Sequence, residues 1–271
     1  MTRVELSLVL PAFDCVSYIG ANVQRALGYF EEHGIRGEVV VADDGSTDGT
    51  ADAVPAAANV RVLRLPHRGK GGALRAGMTA ADGRIRAFTD ADLPYGLEPL
   101  ARASHLIGER HAHAVTGDRT LPGSEYRSTR LRRAISGFAG LAFRTLVVGD
   151  IHDTQCGFKC FRGDVAAEVF RLARVDGFAI DIEVLFLVRR YGLDVQRIPV
   201  RLEGEALSSV DLLRDSARAA RDVVAIRLDW AAGRYRSTAL ERIPAEDLPT
   251  HAAHDASDGA PARGSSEDRS G

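Results

Sequence analysis

The chain has 271 residues, with 35 Lys and Arg against 37 Asp and Glu, a formal net charge of -2. That balance excludes a nucleic-acid binder driven by bulk positive charge, and an apolar share of 45% is that of a globular protein. Cys15, Cys156 and Cys160 are too few, and odd in number, for a disulfide framework, so they read as packed thiols in a reducing compartment. The first ten residues lack the basic region and cleavage site of a signal peptide. The longest apolar stretch, 134–149, is broken by Arg144 and too short to span a bilayer. The expectation is a cytoplasmic protein, soluble or peripheral on the cytoplasmic membrane face.

In chain order, Leu6–Leu10 is a short, nearly continuous apolar run ending at Pro11, the pattern of a strand buried on both faces. Residues 18–32 follow with helical spacing at Ile19, Val23, Ala26, Leu27 and Phe30. Residues 38–42 are a second strand, stopped by the turn and helix-cap chemistry of Asp43-Asp44-Gly45-Ser46-Thr47-Asp48. A third strand over 60–65, a helix over 71–80 and a fourth strand over 84–89 complete an alternation that predicts an α/β fold with a mostly parallel sheet. Further on, 97–109 reads as a helix, 114–116 as a strand and 127–148 as a long helix. Residues 161–175 and 180–191 are read as helices, 195–200 as a strand and 210–230 as an amphipathic helix. In that last helix Leu213, Ala217, Ala220, Val224 and Leu228 form one stripe, and Arg214, Arg218 and Arg221 another. A folded domain over 1–235 and a polar, disordered tail over 236–271 are expected, since 246–271 carries six acids, two bases and no apolar period.

Ligands on such a sheet bind beyond the carboxyl ends of its strands, and two acidic pairs fall there. Asp43 and Asp44 are suited to accept from ribose hydroxyls or a base N–H; alone, they are equally a plain turn. Asp90-Ala91-Asp92 offers hard carboxylate oxygens suited to Mg²⁺ or Mn²⁺ carrying a diphosphate. Arg68-Gly69-Lys70-Gly71 opens a helix with glycines that admit an anion, though the spacing is not that of a P-loop. A polar segment, 152–159, lies between apolar stretches. Arg119, Arg127, Arg130, Arg132 and Arg133 form a basic run able to grip a phosphate.

Taken together, Pro11-Ala12-Phe13, the 43–50 segment, Arg68-Gly69-Lys70-Gly71, Asp90-Ala91-Asp92 and Asp153-Thr154-Gln155-Cys156-Gly157-Phe158-Lys159 resemble the motifs of family 2 glycosyltransferases. The likeness is closest to the polyprenyl-phosphate branch (dolichyl-phosphate β-glucosyltransferase and mannose synthase) and covers roughly residues 5–235. It implies a GT-A, Rossmann-like fold, a UDP- or GDP-sugar donor, Mg²⁺ or Mn²⁺, and inversion at the anomeric carbon. By this resemblance Pro11, Ala12, Asp43, Asp44, Lys70, Gly71, Asp90, Ala91 and Gln155 line the nucleotide-sugar site, and Asp90 and Asp92 hold the metal. Arg119, Arg127, Arg130 and Arg133 hold an acceptor phosphate. The sequence departs from the family at Asp14-Cys15, His67, Pro94 and Asp118.

The expected reaction moves a hexose to a polyprenyl phosphate, which is already ionised and needs positioning more than a base. A hydroxyl acceptor would need a general base, for which Asp153 and then Asp181 are the candidates, alongside Asp92 and Arg119 as catalytic groups. The alternatives are a soluble glycosyltransferase acting on a small hydroxyl-bearing metabolite and a nucleotide-sugar-binding module without turnover. A membrane surface is a candidate partner through the 210–230 helix, whose Asp211, Asp215, Asp222 and Asp229 dilute its positive charge.

Overall fold

Strand β1 (Leu6–Ala12) runs through the sheet interior because both of its faces are apolar. Val9 points to one side with Val40 and Phe88, and Leu8 and Leu10 to the other with Val39 and Val41. The computed structural model describes residues 4–109, 111–124, 153–203 and 212–243, with only the backbone of 212–217. The remaining strands are β2 (Gly37–Asp43), β3 (Val60–Arg64), β4 (Ile85–Phe88), β5 (Ala114–Asp118), β6 (Lys159–Arg162) and β7 (Val195–Pro199). Their order across the sheet is β3-β2-β1-β4-β6-β5-β7. β1 pairs in parallel with β2 and β4, and β2 with β3; β6 runs antiparallel to both β4 and β5, and β5 and β7 are parallel.

Helices cover both faces, as a sheet with continuous apolar strands demands. The described helices are α1 (Ile19–Glu32), α2 (Lys70–Ala80), α3 (Glu98–Gly108), α4 (Gly163–Leu172), α5 (Ile180–Arg190), α6 (Leu212–Ala231) and α7 (Thr238–Arg242). One core joins Val9, Leu74, Phe88, Phe161 and Phe170 beneath α2, α4 and α5; the other joins Leu8, Ile19, Val23, Leu100 and Ile107 beneath α1 and α3.

Three expectations change. The crossover from β2 to β3 holds only a single 3-10 turn, Thr50–Asp52, where the alternation predicts a helix. Residues 159–162, partly read as helix, form strand β6, which four residues with two cationic side chains do not announce. The folded chain extends beyond 235: Ser237 caps α7, and Leu240 is buried in the core. The expected helix over 127–148 and the tail beyond 243 lie outside the described residues.

Candidate active site

The parallel register brings the two acidic pairs to one edge of the sheet. Ala12 lies opposite Asp43 in the β1–β2 pair, and Thr89 N donates to Val9 O at 3.3 Å, so Asp43–Asp44 and Asp90–Asp92 leave the sheet on either side of the β1 end. The direction of crossover changes between β1 and β4, the place where open α/β sheets form a crevice.

Asp44 does not face the crevice as a free carboxylate. Its Oδ1 accepts from Arg68 N at 2.9 Å and its Oδ2 from Gly69 N at 2.8 Å, while His67 Nδ1 lies 2.9 Å from Oδ2. Asp44 therefore shapes the turn that delivers Lys70. Asp43 uses Oδ1 for Ser46, and among the described residues its Oδ2 has no hydrogen-bond partner. Pro11 and Ala12 run alongside Ala42 and Asp43. Phe13, half exposed, lies against His67 with ring centroids 4.4 Å apart and the planes tilted by 30°. Asp14 holds Thr47 N at 2.9 Å, so this departure from the family pattern ties two loops together.

The start of α2 differs from the expected open anion cradle. Gly71 N donates to Asp176 O at 2.7 Å and Gly72 N to the same oxygen at 3.3 Å, which caps the helix with protein. A β-carbon on Gly71 would meet Val175 O at 2.3 Å, so only glycine admits this approach. The 174–176 loop is itself pinned by Glu183, which accepts from Arg174 N at 2.8 Å, Val175 N at 2.9 Å and the Tyr235 hydroxyl at 2.6 Å.

Lys70 leans into the acidic edge. Its Nζ lies 2.7 Å from Asp90 Oδ1 and 3.3 Å from Asp181 Oδ2. Asp181 Oδ1 meets Lys159 Nζ at 2.6 Å, and Lys159, wholly buried, also donates to Cys156 O at 2.8 Å. The row of alternating charges is Lys159, Asp181, Lys70, Asp90. Burial penalises the Lys70 charge, but Asp181 and Asp90 outweigh it and raise its pKa. Burial likewise opposes the Asp181 charge, yet Lys159 and Lys70 bring its pKa below the ordinary carboxylate value. Asp181 is thus an anion held between two ammonium groups.

Asp92 behaves oppositely. Burial first, and then the charge of Asp90, raises its pKa, so this carboxylate sits in a place that favours an added cation. No group of three or more His, Cys, Asp or Glu side chains suited to a metal occurs among the described residues. The hard carboxylate oxygens of Asp90 and Asp92 are of the chemistry that could hold a divalent cation. Ala91 is buried, and its carbonyl accepts from Asn22 Nδ2 at 2.9 Å, so its part is to fix the bend between the two carboxylates.

The 153–158 segment comes up against Asp90 at Gly157. Asp153 is gripped by Arg119 through Nε–Oδ2 and Nη2–Oδ1 contacts of 2.7 Å each, and it accepts from Arg119 N at 2.9 Å. Asp153 and Arg119 thus hold each other, with one edge of the guanidinium turned to the carboxylate. Asp118, at a departure from the family pattern, caps Thr120 and pairs with Arg197 at 3.2 Å. Gln155 is exposed. Arg127, Arg130, Arg132 and Arg133 lie outside the described residues. Sequence reasoning gave no role to Lys159, Glu183 or His67; Lys159 carries a visible signal, a lysine between Phe158 and Cys160 in an otherwise apolar run.

A model of glycosyl transferase family 2 matches residues 7–170. The chain is 28% identical to a dolichyl-phosphate beta-glucosyltransferase of Dictyostelium discoideum, over 86% of this chain and 77% of that one. It is 30% identical to the protein of the same name from Drosophila melanogaster, over 88% and 79%. Among solved structures, mannosyl-3-phosphoglycerate synthase from Rubrobacter xylanophilus matches with a TM-score of 0.61 at 19% identity, over 87% of this chain and 77% of that one. Glucosyl-3-phosphoglycerate synthase from Mycobacterium tuberculosis, in complex with Mn²⁺ and UDP-glucose, matches with a TM-score of 0.57 at 22% identity, over 84% and 79%. Both structural likenesses speak for the fold.

Proposed function

The chain belongs to glycosyl transferase family 2, and from that premise we propose that it moves a hexose, with glucose the first choice, from a UDP- or GDP-sugar to a polyprenyl phosphate of the dolichyl type. The observation that carries the acceptor is the occupancy of both candidate bases. Asp153 is tied to Arg119, and Asp181 to Lys159 and Lys70. An acceptor that arrives ionised has no need of either. The names of the curated relatives point the same way.

Asp90 and Asp92 would hold Mg²⁺ or Mn²⁺, which supplies Lewis-acid neutralisation of the departing nucleoside diphosphate. Asp43 and the Pro11–Phe13 edge would hold the nucleoside, and Lys70 the diphosphate. Gln155 faces the sugar, and Arg127, Arg130 and Arg133 join Arg119 on the acceptor phosphate.

A lipid acceptor would bring the chain to a bilayer face, in our reading the cytoplasmic one, and α6 suits that position. No helix among the described residues is long and apolar enough to cross a membrane. Ala219, Val223 and Ile226 of α6 face the core, whereas Val224 and Leu228 of the predicted stripe are exposed. Asp229 is paired with Arg174 and Arg234, and Asp222 with Arg221 at 3.6 Å, so among the described residues Arg218 and Arg227 are the exposed cations of α6 that stand beside Val224 and Leu228 without an ion pair on the helix.

The test incubates the full chain with a panel of UDP- and GDP-sugars, Mn²⁺ or Mg²⁺ and a short polyprenyl phosphate, following nucleoside diphosphate release. Release that requires the lipid phosphate is the expected result. Release with a soluble hydroxyl acceptor alone would overturn the acceptor assignment, and donor binding without any release would identify a binding module. Flotation with anionic vesicles, lost in a Val224→Asp/Leu228→Asp variant, checks the membrane face.

A further inference from the structure

We propose that Lys70 is a resident counter-ion of Asp90, and that it makes a divalent cation's arrival there depend on a nucleoside diphosphate. The inference rests on the donor site proposed above and adds an order to its filling.

Lys70 lies between two anions of different character. Asp181 is buried and its other oxygen is held at 2.6 Å by Lys159, so it is a fixed and already compensated post. Asp90 has 38% of its side chain exposed and lies on the crevice, so its partner can be exchanged. The shorter of the two Lys70 contacts, 2.7 Å against 3.3 Å, is the one to Asp90. An ammonium at that distance and a divalent cation on the same carboxylate repel each other. Lysine carries its charge on a flexible four-carbon stem, so Lys70 can withdraw from Asp90 while Asp181 keeps it at the crevice wall.

A nucleoside diphosphate resolves the conflict in one step. Its oxygens accept the Lys70 ammonium, and they supply ligands that two carboxylates alone do not give a hard cation. Cation and diphosphate then strengthen each other's binding by the same factor, because such coupling is reciprocal.

The experiment titrates the full chain with Mn²⁺ alone, with UDP alone and with each in the presence of the other. In Lys70→Met, Mn²⁺ alone is expected to bind at least about fivefold more tightly than in the wild type, while the mutual enhancement with UDP falls by at least about fivefold. Arg68→Ala removes a cation two residues away that makes no ion pair with Asp90 among the described residues, and it is expected to leave Mn²⁺ affinity unchanged. Unchanged Mn²⁺ affinity in Lys70→Met, or an equal gain in Arg68→Ala, overturns the proposal. Lys70→Gln, which keeps a neutral donor toward Asp181, gives the same reading if the Met variant unfolds. Failure of UDP to bind the wild type would defeat the donor site, while the comparison with Mn²⁺ alone still decides the role of Lys70.

Discussion

Gly157 lies so close to Asp90 that a β-carbon built on it would stand 2.0 Å from Asp90 Oδ2 and 2.8 Å from its Cγ. The 153–158 segment and the Asp90 carboxylate are thus in direct contact, and a side chain at 157 would meet that carboxylate. Gly157→Ala forces Asp90 to turn or the segment to lift. Since a misplacement of about 1 Å in an active site can cost about 10²-fold in rate, kcat/KM should fall by about that factor. Steady-state kinetics measures the loss, and an unchanged far-UV circular dichroism spectrum shows the fold intact.

Asp92 costs the free protein stability at neutral pH. Burial and Asp90 raise its folded pKa above the unfolded value of 3.8, so the folded state binds the proton more tightly and this penalty is relieved as pH falls through the folded pKa. Asp92→Asn removes the penalty, so the metal-free variant should melt higher than the wild type, by an amount that solvent screening of this partly exposed group keeps small. Its turnover should fall by at least about 10³-fold, the loss expected if the metal contributes several kcal/mol to the transition state. Chelation should stop the wild-type reaction, and added Mn²⁺ should restore it and raise the wild-type Tm. A fully active Asp92→Asn enzyme would end the metal assignment.

Arg119 and Asp153 form a bidentate pair of low exposure. Removing one member strands the other, at a cost of about 3–5 kcal/mol for buried pairs. Asp153→Leu and Arg119→Met should each lower unfolding free energy in urea by about 3 kcal/mol, and the double variant by less than the sum. Additive losses would show that the pair is energetically uncoupled.

Acid sensitivity follows from Asp181. Its folded pKa lies below the unfolded 3.8 because Lys159 and Lys70 outweigh burial. The stabilisation is therefore complete at pH values above about 5 and is lost as pH falls through the unfolded and then the lower folded pKa. The stability difference between wild type and Asp181→Asn should stay constant from pH 7 to about 5 and shrink below it. A difference that narrows already between pH 7 and 5 would contradict the pairing.

Buried apolar runs made β1, β2 and β4 readable, and the 3.6-residue spacing of Ile19, Val23, Ala26 and Phe30 made α1 readable. Strand β6 was not readable, because Lys159 and Arg162 break its apolar pattern and its place between β4 and β5 is set by pairing distant in sequence. The acidic pairs were legible as residue types, but their partners were not. Nothing local to Asp44 announces the Arg68 and Gly69 amides, and nothing near Asp181 announces Lys70 from 111 positions earlier. In α6 the period was legible while its inward face was not: the stripe through Val224 and Leu228 looks outward, and Ala219, Val223 and Ile226 look in.

The charges of Lys159, Asp181, Lys70 and Asp90 come from β6, α5, α2 and the end of β4. None of the inner three can leave water alone without a heavy desolvation cost. A half-assembled crevice is consequently the least favourable arrangement on the way to the native state, and its pieces must arrive together. In a preparation that is partly unfolded, catalytic titre and the native fraction should rise and fall as one number.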